Sequence, residues 1–219
     1  PYGGKQRQVQ VDLDPAARRI TGSLRGVGGM SREFDLFWVI AWDTPTSAHG
    51  TWTGSVVTSG ATRVDAPTQG GGAWLEFDVP DGGVVQFRVG LSFVDLDGAI
   101  ANLAAEAPEF AFDAQRAATA ARWEEMLGRV RIEESDPARL RAFYSAAYRA
   151  LVMPTIYSDA DGRYRGFDGA VHVADGFDYY SDLSLWDTFR TLHPWLTLVY
   201  PEVQSDIVTS LLKMYEQDG

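Results

Sequence analysis

The stretch Glu33–Trp42, EFDLFWVIAW, decides the fold. Read with a period of two, Phe34, Leu36, Trp38 and Ile40 fall on one face, and Phe37, Val39 and Ala41 make the other face apolar as well. A strand apolar on both sides belongs between layers, not at a wetted surface. Before it, Lys5–Leu13 (KQRQVQVDL) alternates around Val9, Val11 and Leu13. Asp14-Pro15 then makes a turn, and Arg19–Leu24 reads as the returning strand of a hairpin. After it, Trp52–Ser59, Ala73–Val79 and Val84–Phe93 read as short strands, separated by glycine-rich turns such as Gln69–Gly72 and Asp81-Gly82-Gly83. Many short strands with glycine and proline punctuation predict part of an antiparallel β-sandwich over residues 1–95.

The period then changes. Ala99–Glu106 is alanine-rich and stops near Pro108, and Asp113 reads as the N-cap of a helix to about Gly128, with Arg116, Ala120, Trp123 and Leu127 on one face. Asp136-Pro137 is a clean helix start, with a capping carboxylate and proline at the first helical position. Leu140, Phe143, Tyr144, Ala147, Tyr148 and Leu151 follow at helical spacing until Pro154. A loop over Thr155–Ser181 precedes two further helical patterns, Leu183–Leu192 and about Glu202–Glu216, the second anchored by Val203, Ile207, Leu211 and Tyr215. The order is β first and α afterwards: strands over 1–95, a helical linker over 96–135, and the start of a helical domain over 136–219. So few helices cannot bury all their apolar faces alone, and further helical chain is expected on the C-terminal side.

Composition narrows the function. The 219 residues carry 19 basic and 30 acidic side chains, a net charge of −11. Phosphate recognition needs clustered Lys and Arg, and no such cluster occurs, which excludes nucleic acid as a partner. An anionic membrane surface is disfavoured for the same reason, and no apolar run reaches the roughly 20 residues of a membrane span. With no cysteine, disulfides, thiolate metal sites and cysteine nucleophiles are excluded together. The charge is uneven: residues 1–90 hold 8 basic and 9 acidic groups, whereas 91–219 hold 11 and 21. The acidity therefore belongs to the helical half.

Within that half, Tyr157–Arg190 (YSDADGRYRGFDGAVHVADGFDYYSDLSLWDTFR) contains seven Asp and three Arg among aromatic residues and glycine turns. Carboxylates accept hydrogen bonds from sugar hydroxyls, Arg donates to them, and aromatic faces stack on the C–H faces of pyranose rings. The mixture suits a polyol ligand; it is equally the composition of a solvated acidic loop. Trp186-Asp187-Thr188 sits in an apolar helical run between Leu185 and Phe189, where a buried carboxylate costs several kcal/mol unless paired. Two readings remain open there: a buried Asp187–Arg190 pair, or an Asp187 that faces a cavity and binds substrate. Asp159-Ala160-Asp161-Gly162 opens like a calcium loop, but an EF-hand needs Gly sixth and Glu twelfth, where Tyr164 and Ala170 stand, so a turn is expected. Gly26-Val27-Gly28-Gly29 precedes no helix and is no dinucleotide fingerprint. His49, His172 and His193 lack metal-ligand spacing, His193 before Pro194 reads as a helix end, and no G-x-S-x-G elbow occurs.

Gly162–Gly169 (GRYRGFDG), Tyr180-Ser181, Ser184–Arg190 (SLWDTFR) and His193-Pro194 together resemble glycoside hydrolase family 92, the bacterial calcium-dependent exo-α-mannosidases. Phe143–Tyr148 (FYSAAY) with Pro154, and the connector from Gly90–Val94 through Ala101-Asn102-Leu103 to Glu106, are similar to the family too. The resemblance covers at least residues 88–219. It implies a β-sandwich joined by a helical linker to an (α/α)6 barrel whose first helices lie in 136–219, with the sugar between them. It also implies a calcium ion, assigned to no residue here, that helps bind and distort the mannose, and hydrolysis with inversion by an acid and a base carboxylate. On this resemblance Trp186, Asp187 and Arg190 bind the terminal mannose, Asp187 through its hydroxyls.

The family's acid and base fall beyond Gly219, so no catalytic residue is assigned in this chain. It reads as an interior segment that would not turn over substrate alone. The partners implied are a mannose-containing glycan and the remaining polypeptide of the same enzyme, and the location is secreted, periplasmic or cell-surface in a bacterium. Two other classes fit parts of the sequence: a non-catalytic carbohydrate-binding β-sandwich module, and an interaction protein that docks through its helical faces.

Overall fold

The computed structural model describes residues 5–27, 33–67 and 70–218. The chain divides into two compact units, Pro1–Phe110 with Asp159–Arg163, and Ala111–Ser158 with Tyr164–Gly219. In the first, strands β1 (Lys5–Asp14), β2 (Arg19–Val27), β3 (Glu33–Trp42), β6 (Arg63–Pro67) and β8 (Phe87–Ser92) form an antiparallel sheet in the order β6-β1-β2-β3-β8. A second sheet holds β4 (Ala48–Thr53), β5 (Val56–Ser59) and β7 (Gly71–Glu76) in the order β5-β4-β7.

The two sheets share one apolar layer. Val9, Val11, Leu13, Ile20, Trp42, Val64 and Ala66 are buried in it, with Trp38 and Ile40 of β3 and Ala73 and Leu75 of β7 packed against them. The opposite face of β3 puts Val39 against Ala99 and Leu103 of helix α1 (Leu96–Glu106), with Phe37 and Ala41 alongside. The two-sided apolarity of EFDLFWVIAW is thus used on both sides, by a sheet and by a helix. Gly90 on β8 makes the helix contact possible, since a Cβ there would lie 2.3 Å from the Ala99 carbonyl oxygen. The stretch expected as one strand over Trp52–Ser59 is instead a hairpin: Gly54, with φ +57°, turns the chain between β4 and β5. The Gly26–Gly29 stretch and the turn expected at Gln69–Gly72 lie partly outside the described residues.

The second unit is mostly helical. It contains α2 (Phe112–Leu127), α3 (Pro137–Ala150), α4 (Leu185–Thr188), α5 (Leu192–Val199) and α6 (Pro201–Asp218). Asp136 caps α3 by accepting from the Ala138 N–H, with Pro137 at the first position as expected. Helix α2 begins two residues earlier than expected: Ala111 is its N-cap and makes no side-chain cap bond. Asp113 lies in its first turn, where a carboxylate still meets the positive end of the helix dipole. The loop over 155–181 is pinned by short pairings, β9 (Thr155–Ile156) with β12 (Tyr180–Ser181), and β10 (Arg163–Arg165) with β11 (Val171–Val173).

The helix expected over Leu183–Leu192 is broken into one turn, α4, and a separate α5. Pro194 explains the break, because it has no N–H for the Arg190 carbonyl in a continuous helix and is tolerated only in a first turn. His193 consequently lies inside the start of α5 and does not end a helix. Ile207 is fully buried and packs with Tyr180, Leu196 and Tyr200 at the centre of this unit. A second cluster stacks Tyr164 on Tyr179 with ring centroids 3.7 Å apart. Desolvation, more than any neighbouring charge, pushes the Tyr180 phenol up to about 12. Among the described residues no helix is long and apolar enough to cross a membrane.

Candidate functional site

Trp186, Asp187 and Arg190 stand on and just after the single turn α4, and all three are exposed, Trp186 at 84%. The buried Asp187–Arg190 pair is not what forms. Arg190 lies over the Phe189 ring, 5.1 Å from its centroid, and the Asp187 Oδ2 accepts from the Ser184 hydroxyl. Among the described residues nothing encloses Asp187, which is exposed. Phe189 also contacts Trp186, at 6.1 Å between centroids. The result is an exposed aromatic face, a carboxylate with Oδ1 free for a ligand, and a guanidinium, all within five residues. These groups can stack on a sugar ring, accept from its hydroxyls and donate to its oxygens.

The backbone of this turn converges on one carbonyl. The Asp187 and Thr188 amides donate to the Ser184 oxygen at 3.0 and 3.1 Å, and the Thr188 hydroxyl joins them at 2.9 Å. Nearby, an open groove of about 440 Å³ runs beside α3 and α5, lined by Phe143, Ala147, Arg149, Thr191 and Trp195 among others. Its walls are mainly apolar, and neither Trp186 nor Asp187 lines it.

The acidic loop holds a second polar centre, in the first unit, that sequence reading missed. Asp159 is 6% exposed and accepts from the Ser92 hydroxyl at 2.7 Å and the Asn102 amide at 2.8 Å. Burial pushes its carboxyl above the usual aspartate range, against the opposing pull of the Ser92 and Asn102 hydrogen bonds. Asn102 is itself fully used, donating to the Leu91 carbonyl and accepting from the Ala160 N–H. Arg163 spans Asp161 at 2.8 Å and Asp95 at 2.7 Å, and Asp95 caps α1. The Asp159-Ala160-Asp161-Gly162 segment is therefore a turn, closed by the Gly162 N–H on the Asp159 oxygen, with both carboxylates engaged by protein donors. The one available signal was Asn102, the sole asparagine of the chain.

Among the described residues no three carboxylate or imidazole side chains converge as a cation site, so these side chains do not by themselves make a cage for the calcium that the resemblance implies.

The family profile described as the glycosyl hydrolase family 92 catalytic domain matches residues 98–219. The chain belongs to glycosyl hydrolase family 92. Solved structures of the family superpose on almost all of it. A family 92 inverting mannosidase from Bacteroides thetaiotaomicron is 29% identical with a TM-score of 0.89, over 97% of this chain and 29% of that one. A further family 92 glycosyl hydrolase is 32% identical with a TM-score of 0.88, over 98% and 28%. An α-mannosidase from B. thetaiotaomicron in complex with mannoimidazole is 27% identical with a TM-score of 0.87, over 97% and 28%. An uncharacterized secreted glycosidase of Arthroderma benhamiae is 33% identical over 93 residues, 40% of this chain and 12% of its own length. The chain thus spans less than a third of the solved relatives and about an eighth of that glycosidase.

Proposed function

We propose that the protein carrying this chain is an exo-acting α-mannosidase that removes terminal mannose from glycans with inversion. In this reading Trp186, Asp187 and Arg190 form part of the terminal-sugar pocket. The observation that carries it is the exposed Trp186-Asp187 turn within a chain of a family whose α-mannosidases include one that binds mannoimidazole. Asp187 accepts from two neighbouring ring hydroxyls, with Ser184 fixing Oδ2 so that the carboxylate plane does not rotate. Trp186 covers one face of the ring, and Arg190 donates to a ring substituent. These residues bind and orient. Inversion further needs a general acid and a general base about 6.5–9.5 Å apart with water between them, and neither role is given to a residue of this chain. An (α/α)6 barrel begun by the helices over 136–219, secretion, and dependence on calcium belong to the same reading.

The test is release of mannose from α-linked mannobioses by the complete protein, followed by anomer-resolved NMR with calcium and after chelation. The expected result is free β-mannose as first product, with the rate lost on chelation and restored by calcium. Sugar affinity without turnover would replace this reading with a non-catalytic carbohydrate-binding protein, and α-mannose as first product would exclude inversion.

A further inference from the structure

We propose that His193 is a positioning residue, which clamps the Trp186-Asp187 turn to helix α6 through Thr188 on one side and Gln204 on the other. The clamp stands on geometry, and its consequence for sugar binding rests on the mannosidase reading above.

The turn needs such a clamp. Helix α4 has four residues, and an isolated turn is marginal because it fixes several dihedral angles for very few hydrogen bonds. Packing does little for it, since Leu185, Trp186 and Phe189 are all exposed. A polar line supplies what packing does not. The Thr188 Oγ1 lies 2.9 Å from the His193 Nε2, and the His193 Nδ1 lies 2.9 Å from the Gln204 Oε1. Gln204 sits on the 18-residue α6, whose Ile207 is fully buried, so the line ends on one of the best-held elements of its unit. Thr188 in turn shares the Ser184 carbonyl with the Asp187 amide. Movement of Thr188 therefore moves the backbone that aims Asp187.

Proton counting shows why histidine suits the position. Thr188 has one hydroxyl proton, which goes to the Ser184 oxygen, so the Nε2 edge donates to Oγ1. The Nδ1 edge meets the Gln204 side-chain amide, which can face it with its oxygen or, turned over, with its NH2. A ring with both protons satisfies both ends at once, and a neutral ring keeps both once the Gln204 amide turns over to donate. Glutamine places its amide near the Nε2 position, and asparagine near the Nδ1 position, so the two substitutions keep opposite halves of the clamp.

The test uses the complete protein with His193→Ala, His193→Gln and His193→Asn. Three quantities are read: hydrogen exchange over 185–190, hydrogen exchange around Ile207, and calorimetric affinity for mannoimidazole. Loss of one such hydrogen bond predicts roughly tenfold faster exchange over 185–190 in His193→Ala, with a comparable loss of affinity. Exchange around Ile207 stays unchanged. His193→Gln, which keeps the Thr188 half, restores part of both quantities, and His193→Asn, which keeps only the Gln204 half, restores neither. Unchanged exchange over 185–190 in His193→Ala overturns the proposal, as does equal rescue by Gln and Asn, or faster exchange around Ile207 to the same degree. If the wild-type protein does not bind mannoimidazole, the mannosidase reading fails while the exchange data still decide the clamp.

Discussion

Replacing Asp187 by alanine lowers kcat/KM for α-linked mannosides by about 10²–10⁴-fold in the complete protein, with the melting temperature essentially unchanged. The size follows from the two ring-hydroxyl hydrogen bonds that the proposed function gives to this carboxylate. Bonds to a charged acceptor are worth about 1.5–3 kcal/mol each, and about 1.4 kcal/mol corresponds to a factor of ten. The unchanged stability follows from the structure: Asp187 is exposed, and the Ser184 hydroxyl it holds can turn to water. Asp187→Asn keeps one acceptor and falls between the wild type and alanine. Kinetics paired with thermal melts check both halves, and a variant that loses activity only in step with its melting temperature would make Asp187 a folding residue.

The second large effect is on stability and lies in the other unit. Asp159→Ala leaves the Ser92 hydroxyl and one Asn102 N–H without their acceptor in a buried place. Each such orphan costs about 1–3 kcal/mol, so the variant is destabilised by about 2–6 kcal/mol in chemical denaturation. Acidity gives a further signature. Burial raises the folded-state pKa of Asp159, so between the ordinary aspartate value and that raised value the folded protein binds more protons than the unfolded one. Across that window the contribution of this group to stability grows as pH falls and is lost as pH rises through the folded value. The stability difference between wild type and Asp159→Asn therefore shifts in favour of wild type on acidification through the window. A difference that stays flat would mean that Asp159 is not the titrating group.

Legibility in the sequence followed the range of the interactions involved. The two-faced strand EFDLFWVIAW and the Asp136-Pro137 start are local patterns, and the structure uses both as read. The hairpin at Gly54 was hidden because strand-forming residues continue on both sides of the turn, Thr51-Trp52-Thr53 before it and Val56-Val57-Thr58 after it, so the run gave no sign that its direction reversed. Strand β6 was missed for the opposite reason. RVDAP carries two charges and a proline, yet at the sheet edge Val64 and Ala66 alone point into the core.

At the candidate site, Trp186 and Asp187 were legible as an unusual pairing of aromatic ring and carboxylate. Their exposure was not, because an apolar helical run suggested burial until Pro194 divided it. The Ser92–Asn102–Asp159 centre joins residues 57 and 67 positions apart, a distance over which periodicity carries no information. The clamp at His193 reaches Thr188 five residues back and Gln204 eleven ahead. Both partners lie across helix breaks, so helical spacing could not pair them.

The account turns on whether a hexose rests against this one exposed turn. A crystal structure of the complete protein with mannoimidazole measures it directly. The account predicts the Asp187 carboxylate at hydrogen-bonding distance, about 2.5–3.0 Å, from two adjacent hydroxyls of the ligand, with the Trp186 ring lying along its face. A ligand bound in the protein and contacting neither side chain would contradict it.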